Sequence, residues 1–174
     1  MNFVMPERFG TLSRDDIAEL TGLEQLQRIV DGRFPAPPIA RVFHYTLHSV
    51  ALGEAVFVGE PAEDFLNPLG TVHGGWAATL LDSSLACAVH STLAVGEFYT
   101  TLEFKVNCVR AILPDTGLLT CAGRIIHRGR TTATSEATLK GADGKLYAHG
   151  TETCMIMPAK QDGAGEPSGS RRAG

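Results

Sequence analysis

The stretch 67–84 carries polar and glycine residues where a loop meets a long apolar run. His73, Gly74 and Gly75 stand in a row, and the apolar run from 75 to 95 predicts a buried helix. The first N–H groups of a helix have no partner inside it and lie at its positive end. Glycines leave those groups accessible, so a developing negative oxygen could be held there. The alternative is that the two glycines only allow a tight turn.

Asp82 lies on the same predicted helix, where most neighbours at helical spacing are small or apolar: Ala78, Leu85 and Ala86. A carboxylate on such a stripe either faces a cleft or needs a buried partner, because an unpaired buried charge is costly. Partial burial would raise the pKa of Asp82 towards the range of a useful general base. The alternative is a structural carboxylate that the hydroxyl groups of Thr79 and Ser83 satisfy.

Two further polar residues precede the helix. His73 could hydrogen-bond a ligand or only hold the loop backbone. Asn67 could position a water or a carbonyl through its amide, or could be the turn residue before Pro68. The residues become more specific as a set, with the spacing N-x-x-G-x-x-H-G-G and Asp82 nine positions after His73.

The elements around this stretch predict an α+β fold. Ser13 can cap an N-terminal helix over 13–30, and a proline-rich linker follows. Gly96 can end the buried helix, and Asp143-Gly144 predicts a hairpin turn. Strand-like runs lie on both sides of the helix: 41–52, 54–59, 98–113, 117–127, 131–140 and 145–157. We therefore predict an antiparallel sheet of five to six strands around one long central helix, plus an N-terminal helix.

The 174 residues suit a single domain with extensions. We predict an N-terminal helical extension and proline-rich linker over 1–38, a folded domain over 39–158, and a disordered tail over 159–174. The tail prediction rests on its low apolar content and its glycines.

Composition excludes several classes of function. A net charge of −4 without a basic stripe argues against a nucleic-acid partner. No apolar run approaches the roughly 18 residues of a membrane span, and the first residues lack a signal-peptide pattern. The four cysteines form no C-x-x-C pair, which favours reduced thiols and a cytoplasmic location. His44 and His48 have helical spacing in a strand-like run, so we predict no metal site.

The motif resembles that of the hotdog-fold acyl-CoA thioesterases, and most closely the phenylacetic-acid-degradation type, called PaaI-like. The resemblance covers about residues 40–157, and it includes segments beyond the motif: 99–107, 110–111, 114, 117, 127–131 and 148–151. It implies the hotdog fold, with the sheet wrapped around the central helix, and hydrolysis of an acyl- or aryl-CoA thioester.

The resemblance also implies a role for each motif residue. Asp82 would be the catalytic carboxylate, either as general base or as a nucleophile that forms an acyl anhydride. The Gly74 N–H would polarise the thioester carbonyl, Asn67 would position water or that carbonyl, and Thr101 would place a hydroxyl near the carboxylate. His73 would complete the catalytic set. One branch of the family uses Glu at the Asp82 position, so its mechanistic details do not carry over.

A site shared between two subunits also follows from the resemblance, in a homodimer or a dimer of dimers. Asp82 and Thr101 would then face Asn67 and Gly74 of the other subunit. CoA would be part of the substrate, and no cofactor is expected. Gly75 is a candidate for binding the substrate. Candidates for binding the CoA phosphates are Lys105, Arg110, Arg128, Gly129 and Arg130, although each cation could equally be solvated surface charge.

Two other functions stay open on the same fold. A non-catalytic acyl-CoA sensor would bind the ester without hydrolysis. Sensors of this kind usually carry a DNA-binding domain, but the roughly 38 residues before the first strand offer one clear helix, too little for a helix-turn-helix. A hotdog hydratase would use a histidine with an acid in another motif. The chain has no G-x-S-x-G elbow and no P-loop.

Overall fold

The computed structural model describes residues 3–158, and within that range the chain forms four α-helices and six β-strands. The helices are α1 (Arg14–Ile17), α2 (Gly22–Val30), α3 (Pro38–Val42) and α4 (Gly74–His90). The strands are β1 (Tyr45–Ala51), β2 (Glu54–Gly59), β3 (Glu97–Cys108), β4 (Leu119–Arg128), β5 (Thr132–Gly141) and β6 (Leu146–Pro158). No helix in this range has the length and apolar character that crossing a bilayer requires.

The six strands form one sheet in the order β1-β2-β4-β5-β6-β3, and all neighbouring pairs are antiparallel. α4 packs against one face of this sheet and touches every strand. β1 and β3 are therefore the two edges. The predicted α+β architecture, with a sheet around one long helix, is confirmed.

α4 lies directly on β4 because the contacting groups are small. A Cβ at Gly123 of β4 would overlap the backbone carbonyl of Ser84 on α4. The Ser84 hydroxyl donates a 2.9 Å hydrogen bond to the Cys121 carbonyl oxygen, which fixes the helix along the strand. Around this contact the core is filled by large side chains of the helix: Trp76, Leu80, Leu81 and Leu85.

The prediction of one helix over 13–30 is wrong, since the chain breaks into α1 and α2. Thr21 caps α2 by accepting from the Glu24 N–H, and the Glu24 side chain accepts from the Thr21 N–H in return. A Cβ at Gly22 would overlap the His90 carbonyl oxygen, and the Gly22 N–H donates to the Leu93 carbonyl oxygen. The glycine therefore permits close docking of α2 on the end of α4.

Other predicted boundaries shift by a few residues. Pro38 begins α3, at a position where proline is well tolerated, so the linker is not free of regular structure and β1 starts only at Tyr45. α4 ends at His90 instead of near 95, and β3 ends at Cys108 instead of near 113. The predicted tail 159–174 lies outside the described residues.

Candidate active site

His73 forms the N-cap of α4. Its Nδ1 accepts a 2.9 Å hydrogen bond from the Gly75 N–H, and the backbone N–H of His73 donates to the Phe65 carbonyl oxygen. A Cβ at Gly75 would lie 2.9 Å from that same Nδ1, so a larger residue there would disturb the cap. Nδ1 of His73 and the Gly75 N–H are thus hydrogen-bonded to each other at the start of the helix.

Gly74 keeps its N–H available. Among residues 3–158 no acceptor is bonded to this group, and Gly74 is exposed at the positive end of a 17-residue helix. A Cβ built on Gly74 would meet only the Cys108 Sγ, at 3.7 Å. Of the two predicted glycines, Gly74 is therefore the one that can donate to a ligand oxygen.

Asn67 uses both ends of its amide to fold its own loop. Oδ1 accepts from the Leu69 N–H at 2.8 Å and from the Thr71 N–H at 3.4 Å, and Nδ2 donates to the Thr71 hydroxyl at 2.7 Å. This arrangement fits the turn role that the sequence left open. The side chain nevertheless lines the same cleft as Gly74.

This cleft has a volume of about 380 Å³ and lies at the N-terminal end of α4. It gathers four of the predicted residues, Asn67, His73, Gly74 and Arg110, together with Cys108 and Tyr147. Asp82 and Thr101 are not part of its wall. Asp82 lies eight residues after Gly74, a rise of about 12 Å along the helix axis.

Asp82 is a half-buried carboxylate without a hydrogen-bond or ion-pair partner among residues 3–158. The two hydroxyls that could have satisfied it bond elsewhere: Thr79 donates to the Gly75 carbonyl oxygen, and Ser83 donates to the Tyr45 hydroxyl. Burial raises the pKa of Asp82 above its ordinary value. The side chain therefore has the properties of a carboxylate that is free to take up a proton.

Thr101 bonds to a second carboxylate, which the sequence analysis did not identify. Its hydroxyl donates a 2.8 Å hydrogen bond to Oε1 of Glu152 on β6. Glu152 is only 1% exposed, and the Cys154 thiol donates to the same oxygen at 2.9 Å. Alternation along β6 could have revealed it, because Glu152 falls on the inward phase with Gly150 and Cys154.

The predicted phosphate-binding residues do not form one patch in the single chain. Arg128 pairs with Glu97, the first residue of β3, at 2.8 Å, and the Gly129 N–H is bonded to the Thr132 carbonyl oxygen. Lys105 lies eight residues after Glu97 on β3, about 26 Å along the strand. Arg128, Gly129 and the exposed Arg130 thus occupy one end of β3, and Lys105 lies towards the other.

Three of the predicted cations are exposed and have no ion pair within residues 3–158: Lys105, Arg110 and Arg130. Arg110 lies over the ring of Tyr147, 5.8 Å from its centroid. In the same range, no three histidine, cysteine or acidic side chains are arranged to hold a metal ion.

Comparison with known proteins places this geometry in context. A family model described as the thioesterase superfamily matches residues 69–148. A solved structure from Ralstonia eutropha JMP134, described as phenylacetic acid degradation-related and provisionally as a thioesterase, is 32% identical. It covers 75% of this chain and 98% of that chain, with a TM-score of 0.68. The shared architecture confirms the hotdog fold.

Two further relatives extend the comparison. The PaaI protein of the E. coli phenylacetic acid degradation operon has a TM-score of 0.69 over 79% of this chain and 96% of that chain. At 18% identity this likeness concerns the fold alone. PA1618 of Pseudomonas aeruginosa, provisionally named an esterase, is 32% identical over 92 residues. The match covers 52% of this chain and 62% of that relative's length.

Proposed function

Because the chain belongs to the thioesterase superfamily, as its motif predicts, we propose that it hydrolyses an acyl- or aryl-CoA thioester to a free acid and CoA. One observation carries the proposal. The helix that presents the free Gly74 N–H at its start also bears Asp82, a half-buried carboxylate with no partner among residues 3–158. These are the two groups that thioester hydrolysis needs besides water.

The proposed reaction uses both groups. The thioester carbonyl oxygen accepts from the Gly74 N–H, which stabilises the negative charge that develops on it. Asp82 removes a proton from a water whose oxygen attacks the carbonyl carbon; alternatively, the carboxylate attacks that carbon itself and water then hydrolyses the anhydride. The C–S bond breaks and the CoA sulfur leaves as a thiolate, which takes up a proton. General-base help is worth about 10²–10⁴-fold, and an oxyanion donor about 10²–10³-fold.

The proposed site combines two copies of the chain. The separation of about 12 Å between Gly74 and Asp82 along α4 supports this, since one thioester cannot contact both from within a single helix. β3 is an edge strand that exposes the apolar side chains of Leu102 and Phe104, as a strand covered by a second copy would. Asp82 and Thr101 of one copy would face Asn67 and Gly74 of the other, in a dimer or a dimer of dimers.

The CoA phosphates are proposed to bind exposed cations without acidic partners. Arg130, Lys105 and Arg110 meet that description among residues 3–158, whereas Arg128 is held by Glu97. In an assembly of two copies, ends of β3 that are far apart in one chain can approach each other. No cofactor, metal ion, nucleic acid or membrane takes part in the proposed reaction. We place the reaction in the cytoplasm.

Release of free thiol from a panel of acyl- and aryl-CoA esters tests the function. Wild-type protein is expected to release CoA, and Asp82→Asn to lower kcat at least about 10²-fold while circular dichroism stays unchanged. Asp115→Asn is the matched control, since Asp115 is exposed and far from α4 in sequence. Ester binding without thiol release from the wild type would contradict the proposal and fit a sensor. Conversion of an unsaturated acyl-CoA ester into a different CoA ester, without thiol release, would fit a hydratase.

A further inference from the structure

Glu152 is the most deeply buried carboxylate among residues 3–158, and the proposed reaction does not use it. It lies on the face of β6 that packs against α4, and it is 1% exposed. Oε1 accepts two hydrogen bonds, from the Thr101 hydroxyl and from the Cys154 thiol, whereas Oε2 has no partner within those residues. Burying such a group is costly, so its presence calls for a role.

The groups around Glu152 favour its neutral form. Burial raises its pKa most strongly, and the negative charges of Asp82 and Glu103 raise it further, against the lowering effect of the Cys154 and Thr101 hydrogen bonds. None of the groups acting on it is a cation. Ser135 faces it from β5, and its buried hydroxyl has no partner in the described range. Together these effects raise the pKa of Glu152 above its ordinary value and favour the protonated carboxyl group.

The bond from Thr101 to Glu152 determines what Thr101 can offer to a ligand. A threonine hydroxyl has one proton and two lone pairs. Because the proton points to Glu152 Oε1, the oxygen retains only acceptor capacity. A water bonded to Thr101 must then donate to it. Such a water keeps a second proton for a carboxylate and a lone pair for attack.

We propose that Glu152 is a positioning residue of the hydrolytic site. It accepts the hydrogen bond that the Thr101 hydroxyl donates, so that Thr101 can only accept a hydrogen bond from the attacking water. The inference rests on the proposed function and adds a residue to it. Glu152 acts through Thr101 and does not touch substrate. A neutral acceptor is sufficient for this role, so an amide should replace the carboxyl group.

Steady-state kinetics on four variants test this role. Glu152→Met removes the acceptor and is expected to lower kcat about tenfold with KM within twofold; Glu152→Gln keeps the acceptor and should stay within about threefold of wild type. Thr101→Val should lower kcat about as much as Glu152→Met. The matched control is Ser135→Ala, which removes the neighbouring buried hydroxyl and should leave kcat unchanged.

The double variant Thr101→Val/Glu152→Met separates positioning from a purely structural tie between β3 and β6. Because both residues act through one water, the double variant should lose no more kcat than either single variant. Losses that multiply to about 100-fold would overturn the proposal, as would wild-type kcat in Glu152→Met. If Glu152→Met does not fold, Glu152→Gln decides: a loss equal to that of Thr101→Val overturns the proposal.

Failure of this inference is distinguishable from failure of the proposed function. A wild-type protein that releases no thiol from any ester contradicts the function itself. An active wild type that Asp82→Asn inactivates, together with a fully active Glu152→Met, contradicts only the role of Glu152. Thermal unfolding of each variant establishes that the compared proteins are folded at the assay temperature.

Discussion

Two neighbouring glycines at the start of α4 differ in whether their N–H group is hydrogen-bonded. The Gly75 N–H is bonded to Nδ1 of His73, whereas the Gly74 N–H has no acceptor among residues 3–158. The histidine thus orders the first turn of the helix and leaves one donor directed outward. At the residue scale, His73 caps the helix, and the Gly74 backbone N–H is the group that the proposed mechanism uses to bind the thioester.

Gly74→Pro removes that donor without removing the helix. Proline is well tolerated at the first helical position, and His73 has the extended conformation (φ −61°, ψ 136°) that the residue before a proline prefers. We expect kcat for thiol release to fall about 10²–10³-fold while the far-ultraviolet circular dichroism spectrum stays unchanged. Gly74→Ala is the control, since its Cβ has room and its N–H remains. Wild-type kcat in Gly74→Pro would remove this N–H from the mechanism.

The sequence could propose the members of the site but could not decide their partners. The helical spacing predicts Asp82 on the long helix, where the structure has it. Only the three-dimensional structure shows that Thr79 and Ser83 bond to other groups. The hydrogen bonds of Asn67 depend on a loop conformation that spacing does not determine. Glu152 was missed because a single acidic residue in a strand is usually solvated, and alternation is a weak signal for one position.

At the element scale, the position of α4 depends on its contact with β4. Since this one helix carries both Gly74 and Asp82, any displacement of α4 moves both groups relative to the sheet. The contact has no spare room at Gly123, where the backbone of Ser84 lies against the strand. The small residues Ser84 of α4 and Gly123 of β4 therefore determine where the helix places the groups of the proposed site.

Gly123→Ala is expected to destabilise the protein by about 1–3 kcal/mol and to lower kcat as well. The added methyl group meets backbone, which cannot rotate away, so α4 must shift. Ala122→Val adds atoms one residue earlier on the exposed face of the same strand and should affect neither quantity. Urea unfolding and thiol release measure the two effects. An unchanged midpoint in Gly123→Ala would mean that the contact is looser than described.

Strands and helices were predictable to different degrees. The β2 run 54–59 matches the observed strand, and β4–β6 differ by one or two residues, because Gly, Pro and Asp mark their ends clearly. The N-terminal segment was predicted as one helix because its apolar spacing continues across Gly22. The observed break coincides with the Thr21–Glu24 capping box, a local signal that the apolar spacing hides. The close contact of Gly22 with the His90 carbonyl group, 68 residues further on, is not visible in the local pattern.

At the scale of the whole molecule, the residues of the proposed site fall into two separate groups within one chain. The cleft at the start of α4 contains Gly74 and Asn67. Asp82 lies further along the helix, near enough to Glu152 for its charge to raise the pKa of that residue. A site shared between copies makes activity depend on association. It also makes the function of one chain dependent on residues of another, which mixed dimers can reveal.

Mixing Asp82→Asn with Gly74→Pro chains should restore activity if the site is shared. In a heterodimer, one site combines both defects, and the other combines the intact Asp82 of one chain with the intact Gly74 of the other. Random association makes half the dimers mixed, so thiol release should recover to about a quarter of the wild-type rate. Co-expression of differently tagged chains followed by tandem purification isolates the heterodimer. Recovery no greater than the sum of the two single variants would place both groups in one chain.

The docking of α2 on the end of α4 has a consequence for the order in which the chain acquires its structure. α2 has nine residues, too few for a stable isolated helix in water, and its Leu26 belongs to the same core as Trp76 and Leu80. The residue that receives the Gly22 N–H bond, Leu93, is synthesised 71 residues later. α2 therefore leaves the ribosome before its docking partner exists, and its contacts with α4 form only after that helix has followed.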